Sequence, residues 1–215
     1  PARRCYRMHE VDLFVDAGVF SATKSNGAFG TRLISVSPNA ADAWVWLAYD
    51  QLNVGFLESL NLEGRLGVVL IESSAKAQRR PYHQQKLGVL LSNQRHFALE
   101  LQAMGFPVIY LIGQAPYDQM LASLQPQIKH LHCITAAERE LRNEVAHLTE
   151  DGLLIEHKHP GWLTPQEWFT SSVGEVPPFR MDSFYRKVRK ETGWLMDEGK
   201  PIGGKYSYDA ENRFP

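Results

Sequence analysis

Short apolar runs recur along the chain, and longer stretches of mixed apolar and polar residues separate them. The runs predict strands at residues 44–49, 68–72, 108–112, 131–135 and 153–157. Strands that are apolar at nearly every position are typical of parallel sheets covered on both faces. Apolar residues at helical spacing predict amphipathic helices at residues 86–104, 117–124 and 138–148. The alternation predicts an α/β fold, a doubly wound, Rossmann-like parallel sheet of about five strands with helices on both faces.

The two ends of the chain do not follow this alternation. Residues 1–42 contain scattered glycines and serines, with one possible helical piece around residues 11–19. Residues 161–178 have no strong period, residues 179–196 predict a basic amphipathic helix, and glycines, charges and aromatics follow it. The predicted organisation is an N-terminal extension, an α/β domain, and a basic helix with a junction segment, at residues 1–42, 43–178 and 179–215.

Composition is that of an ordinary globular protein, with 44% apolar and 22% charged residues. A net charge of −1 gives no global electrostatic reason to bind nucleic acid. Cys5 and Cys133 are far apart, which argues against a disulfide framework or a metal knuckle and favours the reducing cytoplasm. No run approaches the roughly 20 apolar residues that span a bilayer, so we expect no membrane association.

Several motifs occur in an order that is similar to one known family. They are Asp50-Gln-Leu-Asn53, Val68-Val-Leu-Ile-Glu-Ser73, a His-x-x-Lys helix with a Ser-x-x-Arg-His-Phe-Ala core at residues 83–98, and the closing stretch at residues 181–213. Residues 43–213 therefore resemble the N-terminal α/β domain of the deoxyribodipyrimidine photolyase-related proteins. Within that family, the likeness is to the bacterial (6-4) photolyase and cryptochrome branch that carries an iron–sulfur cluster.

The resemblance implies an antenna-chromophore-binding domain of a photolyase- or cryptochrome-like flavoprotein that serves light-dependent DNA repair or light sensing. The implied chromophore is a lumazine- or flavin-type ring. FAD and the iron–sulfur cluster are expected only in a C-terminal helical domain that is missing from this chain and is its partner in cis in relatives. Damaged DNA would be contacted only through the complete protein. We expect no catalytic residues in this chain, and we do not expect the chain alone to act as a lyase.

Candidate ligand-binding residues follow the first two strands. Asp50 and Gln51 follow the first strand and Glu72 ends the second, and open α/β sheets bind ligands at these carboxyl ends. The resemblance implies a ribityl-lumazine ring close to the Asp and the Glu. In the alternative interpretation, Asp50 caps a turn and Glu72 is a solvated strand end. Tyr49 stands where relatives have a glycine, and it could stack on the ring or fill the space that the ring needs.

His83 and Lys86 lie three residues apart at the start of the long helix and therefore on one face. They could meet a ribityl chain or a phosphate near the helix N-terminus, or they could form a solvated first turn. Further along the same helix, Arg95 is predicted to pair with an acid.

Other motifs predict no chemistry. The pairs His130/His132 and His157/His159 are expected at opposite edges of the sheet, too far apart for a shared metal ion. Cys133 lies in an apolar strand, where a thiol is usually inert. A basic cluster could track a DNA backbone, although a solvated face that contacts another domain is favoured; its members are Arg180, Arg186, Lys187, Arg189 and Lys190.

Three functions compete at this point. The first is the antenna-chromophore domain. The second is a scaffold or docking domain of the same fold without a chromophore, which Tyr49 keeps open. The third is a stand-alone nucleotide-binding α/β protein, and the lack of a glycine-rich phosphate loop after a strand counts against it.

Overall fold

The computed structural model describes residues 27–209, whose contacts form two compact units. We call residues 27–160 the sheet unit and residues 161–209 the closing unit. The strands of the sheet unit are β1 Ala43–Trp46, β2 Leu66–Ser73, β3 Val108–Gly113, β4 Leu131–Ile134 and β5 Ile155–His157. Its helices are α1 Gly27–Arg32, α2 Val54–Ser59, α3 Ser74–Gln78, α4 Gln84–Ala103, α5 Tyr117–Ala122 and α6 Arg139–Glu150.

The five strands form one parallel sheet in the order β3-β2-β1-β4-β5. The predicted fold class is therefore confirmed. The order reverses at β1, whose neighbours are β2 on one side and β4 on the other. In open α/β sheets, ligands bind beyond the carboxyl ends of the strands at such a reversal point. The fold thus directs attention to the loops after β1, β2 and β4.

Side chains of the strands enter two apolar layers because successive residues point to opposite faces. Trp46 and Ile71 belong to the layer shared with α5 and α6, whereas Val68 and Leu70 belong to the layer shared with α4. Cys133 lies in the first of these layers, and burial raises the pKa of its thiol to about 12. This agrees with the expectation of an inert cysteine.

The closing unit contains α7 Gln166–Val173, α8 Met181–Thr192 and a two-stranded antiparallel hairpin, β6 Met196–Asp197 and β7 Lys200–Pro201. α7 was not predicted, because its sequence has no strong apolar period. Its Phe169 instead packs edge-on against Phe179 and Phe184, with ring centroids 5.5 and 5.3 Å apart. The unit begins at Gly161, whereas the sequence suggested a boundary after residue 178.

Arg189, on α8, organises the closing unit. Its side chain is 5% exposed and donates hydrogen bonds to the carbonyl oxygens of Trp194, Leu195 and Tyr206. Its guanidinium carbon also lies 5.6 Å from the ring centre of Tyr185 and 5.3 Å from that of Tyr206. The prediction of a solvated basic helix face is therefore wrong for Arg189.

Glycines fix the turns that follow α8. Glu198 and Gly199, with φ values of 44° and 76°, make the hairpin turn, and two positive φ values suit the twist of paired strands. Gly203 and Gly204 also have positive φ, and the hydroxyl of Tyr208 donates to the carbonyl oxygen of Gly203 at 2.6 Å. The tight turn expected at these glycines is thus present. The predicted helical piece around residues 11–19 lies outside the described residues.

Candidate functional site

An open cleft of about 570 Å³, counting the space open to solvent, lies beside the carboxyl end of β2. Its apolar wall consists of Ile71, Ala77, Leu87, Leu90 and Leu91. Its polar and aromatic wall consists of Tyr49, Ser73, Lys76, Tyr82, Lys86, Gln94 and Tyr117. Mainly apolar and aromatic walls with a few fixed polar groups are typical of sites for small organic molecules. No helix in residues 27–209 is long and apolar enough to cross a bilayer.

A polar network fixes one side of the cleft. The hydroxyl of Tyr49 donates to Glu138 Oε2 at 2.9 Å, and Lys76 Nζ lies 2.5 and 2.6 Å from the two carboxylate oxygens of Glu138. Burial opposes the charge of Glu138, but hydrogen bonds from Lys76 and Tyr49 outweigh it and lower the pKa. Burial and the bond to Glu138 raise the pKa of Tyr49. Tyr49 is therefore a neutral phenol whose ring forms a fixed part of the wall.

The side-chain amide of Gln51 forms hydrogen bonds with the backbone of the sheet unit. It is buried beyond the end of β1, where its amide accepts from the N–H of Ala48 at 3.1 Å. The same amide donates to the carbonyl oxygens of Ile134 and Thr135 at 3.2 and 3.1 Å. It thus connects the ends of β1 and β4. Asp50, its neighbour, is exposed.

Glu72 is 3% exposed, so the interpretation as a solvated strand end is wrong. Its carboxylate accepts from Arg95 Nε and Nη2 at 2.6 and 2.7 Å, and from the hydroxyl of Tyr110. The predicted pairing of Arg95 with an acid is confirmed. Glu72 shares a strand face with Leu70, whereas Ile71 and Ser73, which line the cleft, lie on the other face.

The structure therefore does not bring Asp50, Gln51 and Glu72 together around one opening. Glu72 reaches the cleft only indirectly, because Gln94 lines the cleft and its Nε2 donates to the Tyr110 hydroxyl at 3.3 Å. Whether these residues contact a ligand stays a prediction. What the contacts do show is that Gln51 and Glu72 fix the strand ends from which the cleft is built.

His83 and Lys86 have different environments. The His83 side chain caps α4, with Nδ1 accepting from the N–H of Gln85 at 3.2 Å, and it does not line the cleft. Lys86 does line it, with Nζ 5.6 Å from the ring centre of Tyr82. His83 therefore has a structural role as a helix cap, whereas Lys86 forms part of the cleft wall.

Sequence reasoning missed Lys76 and Glu138, the most closely coupled charges at the cleft. They lie 62 residues apart in sequence, and no spacing rule connects them. One signal was available, because Ser73 ends a strand and its hydroxyl accepts from the N–H of Lys76 at 3.1 Å, as a helix cap does. A short helix after β2 would have placed Lys76 at the ligand-binding edge.

The prediction that the two histidine pairs lie far apart is wrong for His132 and His157, one member of each pair. His132 Nδ1 and His157 Nε2 lie 2.9 Å apart, because β4 and β5 are so short that residues near opposite strand ends still meet. Burial, followed by the neighbouring His157 and His130, lowers the pKa of His132. Within the described range, no three His, Cys, Asp or Glu side chains are grouped as a metal site would require.

The fold defines an α/β protein with a Rossmann-like parallel sheet, and comparison with known proteins gives its family. Residues 45–215 match the family described as deoxyribodipyrimidine photo-lyase-related protein, and the chain belongs to that family. The resemblance to this family is thereby confirmed, whereas the iron–sulfur branch and the assignment to the N-terminal domain stay predictions.

Two relatives show how the chain compares with known proteins in sequence and in length. It is 30% identical over 162 residues to a (6-4) photolyase of Agrobacterium fabrum, covering 69% of this chain and 31% of that protein. It is 30% identical over 136 residues to an uncharacterised protein of Acanthamoeba polyphaga mimivirus, covering 60% of this chain and 69% of that protein. The chain thus spans less than a third of the length of the photolyase that it matches.

Proposed function

We propose that this chain is the antenna-chromophore-binding part of a photolyase- or cryptochrome-like flavoprotein of the iron–sulfur branch. The observation that carries the proposal is the cleft at the carboxyl end of β2, whose wall holds three tyrosines in a photolyase-related chain. A planar lumazine- or flavin-type ring fits this chemistry, because apolar and aromatic walls exclude water while Gln94 places a side-chain amide in the wall.

Tyr49 separates this function from the scaffold alternative. The bond to Glu138 holds its ring in the cleft wall, so the ring either stacks on the ligand or occupies its place. Titration with 6,7-dimethyl-8-ribityllumazine or riboflavin, followed by fluorescence, tests both. If Tyr49 stacks, Tyr49→Gly weakens binding by about 0.5–1.5 kcal/mol. If Tyr49 blocks the cleft, the parent chain shows no binding and Tyr49→Gly creates it.

His83→Ala is the matched control, because His83 caps α4 but does not line the cleft. Its affinity for the ring should equal that of the parent. Failure of both the parent and Tyr49→Gly to bind either ring at millimolar concentration would favour the scaffold function.

FAD, the iron–sulfur cluster and repair chemistry belong, in this proposal, to a helical domain that this chain does not supply. Thiolate ligation of a cluster takes several cysteines, and the chain has Cys5 and Cys133. Iron analysis of anaerobically prepared protein, together with an assay for light-dependent repair of a (6-4) lesion, tests the assignment. Stoichiometric iron or repair by this chain alone would contradict it.

The closing unit is the surface that we propose for the helical domain. It exposes large apolar side chains, including Trp194, Leu195 and Ile202, and Leu195 and Ile202 line an open groove of about 1070 Å³. A partner that covers them should slow amide exchange at residues 193–209 when supplied in cis or in trans. Unchanged exchange with the partner present would contradict this assignment, as would exchange in the isolated chain as slow as that of the strands.

A further inference from the structure

We propose that the hydrogen bond between His132 and His157 is a pH switch, which keeps β5 on the sheet near neutral pH and releases it below about pH 6.5. The switch lies at the edge of the sheet unit and does not depend on a ligand in the cleft. It works because the two imidazoles can share one proton but not two.

β5 is held mainly by its contacts with β4. None of its three side chains is buried, and Ile155 is 41% exposed. Its backbone pairs with β4 over three residues, and the carbonyl oxygen of His157 accepts from the N–H and the hydroxyl of Thr135 at 2.8 and 3.0 Å. The contact of 2.9 Å between His132 Nδ1 and His157 Nε2 adds a side-chain hydrogen bond across the same two strands. Loss of this bond should therefore affect β5 more than the other strands.

The number of protons on the two rings decides whether the bond can form. Two neutral imidazoles supply one N–H donor and one lone pair at the contact. After a first protonation, the imidazolium can still donate to the neutral ring. A second proton would put N–H groups on both contacting nitrogens, leave no acceptor and bring two positive charges together. The closed pair therefore holds at most one proton, whereas two solvated imidazoles each take one below about pH 6.5.

The groups around the pair oppose a second charge. Burial, followed by His157 and His130, lowers the pKa of His132, and in the described part of the chain no carboxylate is among the groups that shift it. Glu156 lies on the opposite face of β5, because side chains alternate along a strand, and Lys158, next along the chain, is a further cation. Since the pKa of His132 is lowered in the folded chain, the stability that depends on it is present above the ordinary histidine value and is lost as pH falls below that value.

The neighbouring helix does not supply a partner for the second charge. α2 packs into the apolar layer on this face of the sheet, and its one charged residue, Glu58, is exposed. His159, just after β5, lies against Phe56 of α2, with ring centroids 5.1 Å apart. The carboxyl of Asp50 interacts electrostatically with His159. Asp50 and His159 therefore form a separate pair of titratable groups beside the switch.

Amide exchange followed by mass spectrometry tests the switch, with EDTA present so that no metal ion bridges the rings. Opening of β5 frees both imidazoles and takes up about one proton. Between about pH 6.5 and about pH 5.5 we therefore expect the protection of residues 155–158 to fall about tenfold relative to β2 and β3. His157→Gln should reduce this fall to about twofold, because His132 beside a glutamine can accept its proton without losing a hydrogen bond.

Two controls separate the pair from other titrating groups. His96→Gln removes an exposed imidazole on α4, and Asp50→Asn removes the carboxyl that acts on His159. Both variants should keep the tenfold fall at residues 155–158.

NMR titration of the imidazole rings in the parent chain gives a second measurement that needs no substitution at the pair. The signals of His132 and His157 should titrate in two separate steps, the later one at a lower pH than that of His96. A single step shared with His96 would mean that the rings do not meet in solution, and it would overturn the switch. Equal loss of protection in β5, β2 and β3, or a tenfold fall that persists in His157→Gln, would overturn it as well.

Discussion

In the sheet unit, side chains on both faces of β1 to β4 are buried, and almost all are apolar, whereas the edge strand β5 has no buried side chain. In the described part of the closing unit, one side chain is buried, and it is the charged Arg189. Apolar burial is non-directional and shared among many contacts. Three hydrogen bonds from one guanidinium are directional and depend on a single residue. The two units should therefore respond differently to substitution.

The largest effect is expected in the sheet unit, at Glu72, its most deeply buried charged side chain. Arg95→Met leaves Glu72 buried without its cation. We expect the free energy of unfolding to fall by about 3 kcal/mol, the low end for a broken buried pair because Arg95 is 32% exposed. Urea unfolding followed by amide exchange of the strands measures it.

Arg80→Met is the matched control, since both side chains of its ion pair with Glu140 are exposed, at 59% and 36%. Its loss should stay below about 1 kcal/mol. Equal losses in Arg95→Met and Arg80→Met would mean that the sheet unit does not rely on the Glu72 pair.

The next largest effect is expected to be confined to the closing unit. Arg189→Met keeps the length and apolar stem of the side chain but leaves three carbonyl oxygens without their donor. We expect a local loss of about 2 kcal/mol, seen as faster amide exchange at residues 194–206, with the strands of the sheet unit unchanged. Lys190→Met, at an exposed position on the same helix, should change neither region. Faster exchange in the strands would show that the two units are not independent.

A smaller effect is expected at the paired glycines of the closing unit. Both have positive φ, so alanine at either costs about 1 kcal/mol of backbone strain. A Cβ at Gly203 would also meet the Tyr208 hydroxyl at 2.1 Å, whereas none of the neighbours of Gly204 lies within 4 Å of such an atom. Gly203→Ala should therefore speed exchange at residues 200–209 more than Gly204→Ala. Identical effects would show that Tyr208 moves aside without cost.

The smallest effect concerns the pH dependence of the sheet unit. The pKa of Glu138 is lowered in the folded chain, so its stabilising contribution is present above the pKa of the unfolded chain and is lost as pH falls through the folded value. Glu138→Gln should reduce stability at pH 7 by about 1 kcal/mol, after allowing for solvent screening, and flatten the loss on acidification. Parallel pH profiles of the urea midpoint would contradict this.

The sequence predicts the sheet better than it predicts the cleft. Apolar runs define β1 to β4, because a parallel strand covered on both faces needs apolar residues at nearly every position. Only the first residue of the more exposed edge strand β5 is apolar. An apolar run does not show on which face of the sheet a polar residue at the end of the strand lies. Glu72 was therefore assigned to the ligand-binding edge, although its side chain lies on the face covered by α4 and pairs with Arg95. α3 was missed because five residues are too few to show a period, and the Tyr49, Lys76 and Glu138 network was missed with it.

Cys133 is the one cysteine of residues 27–209, and it lies in β4, inside the sheet unit. Its raised pKa and burial mean that a thiol reagent modifies it only when the sheet opens. In a Cys5→Ser background, the rate of thiol modification under native conditions would therefore report how often the sheet opens. The described part of the closing unit has no cysteine and would not contribute to this rate. A bound ring or partner domain that stabilises the sheet would therefore slow the modification of Cys133.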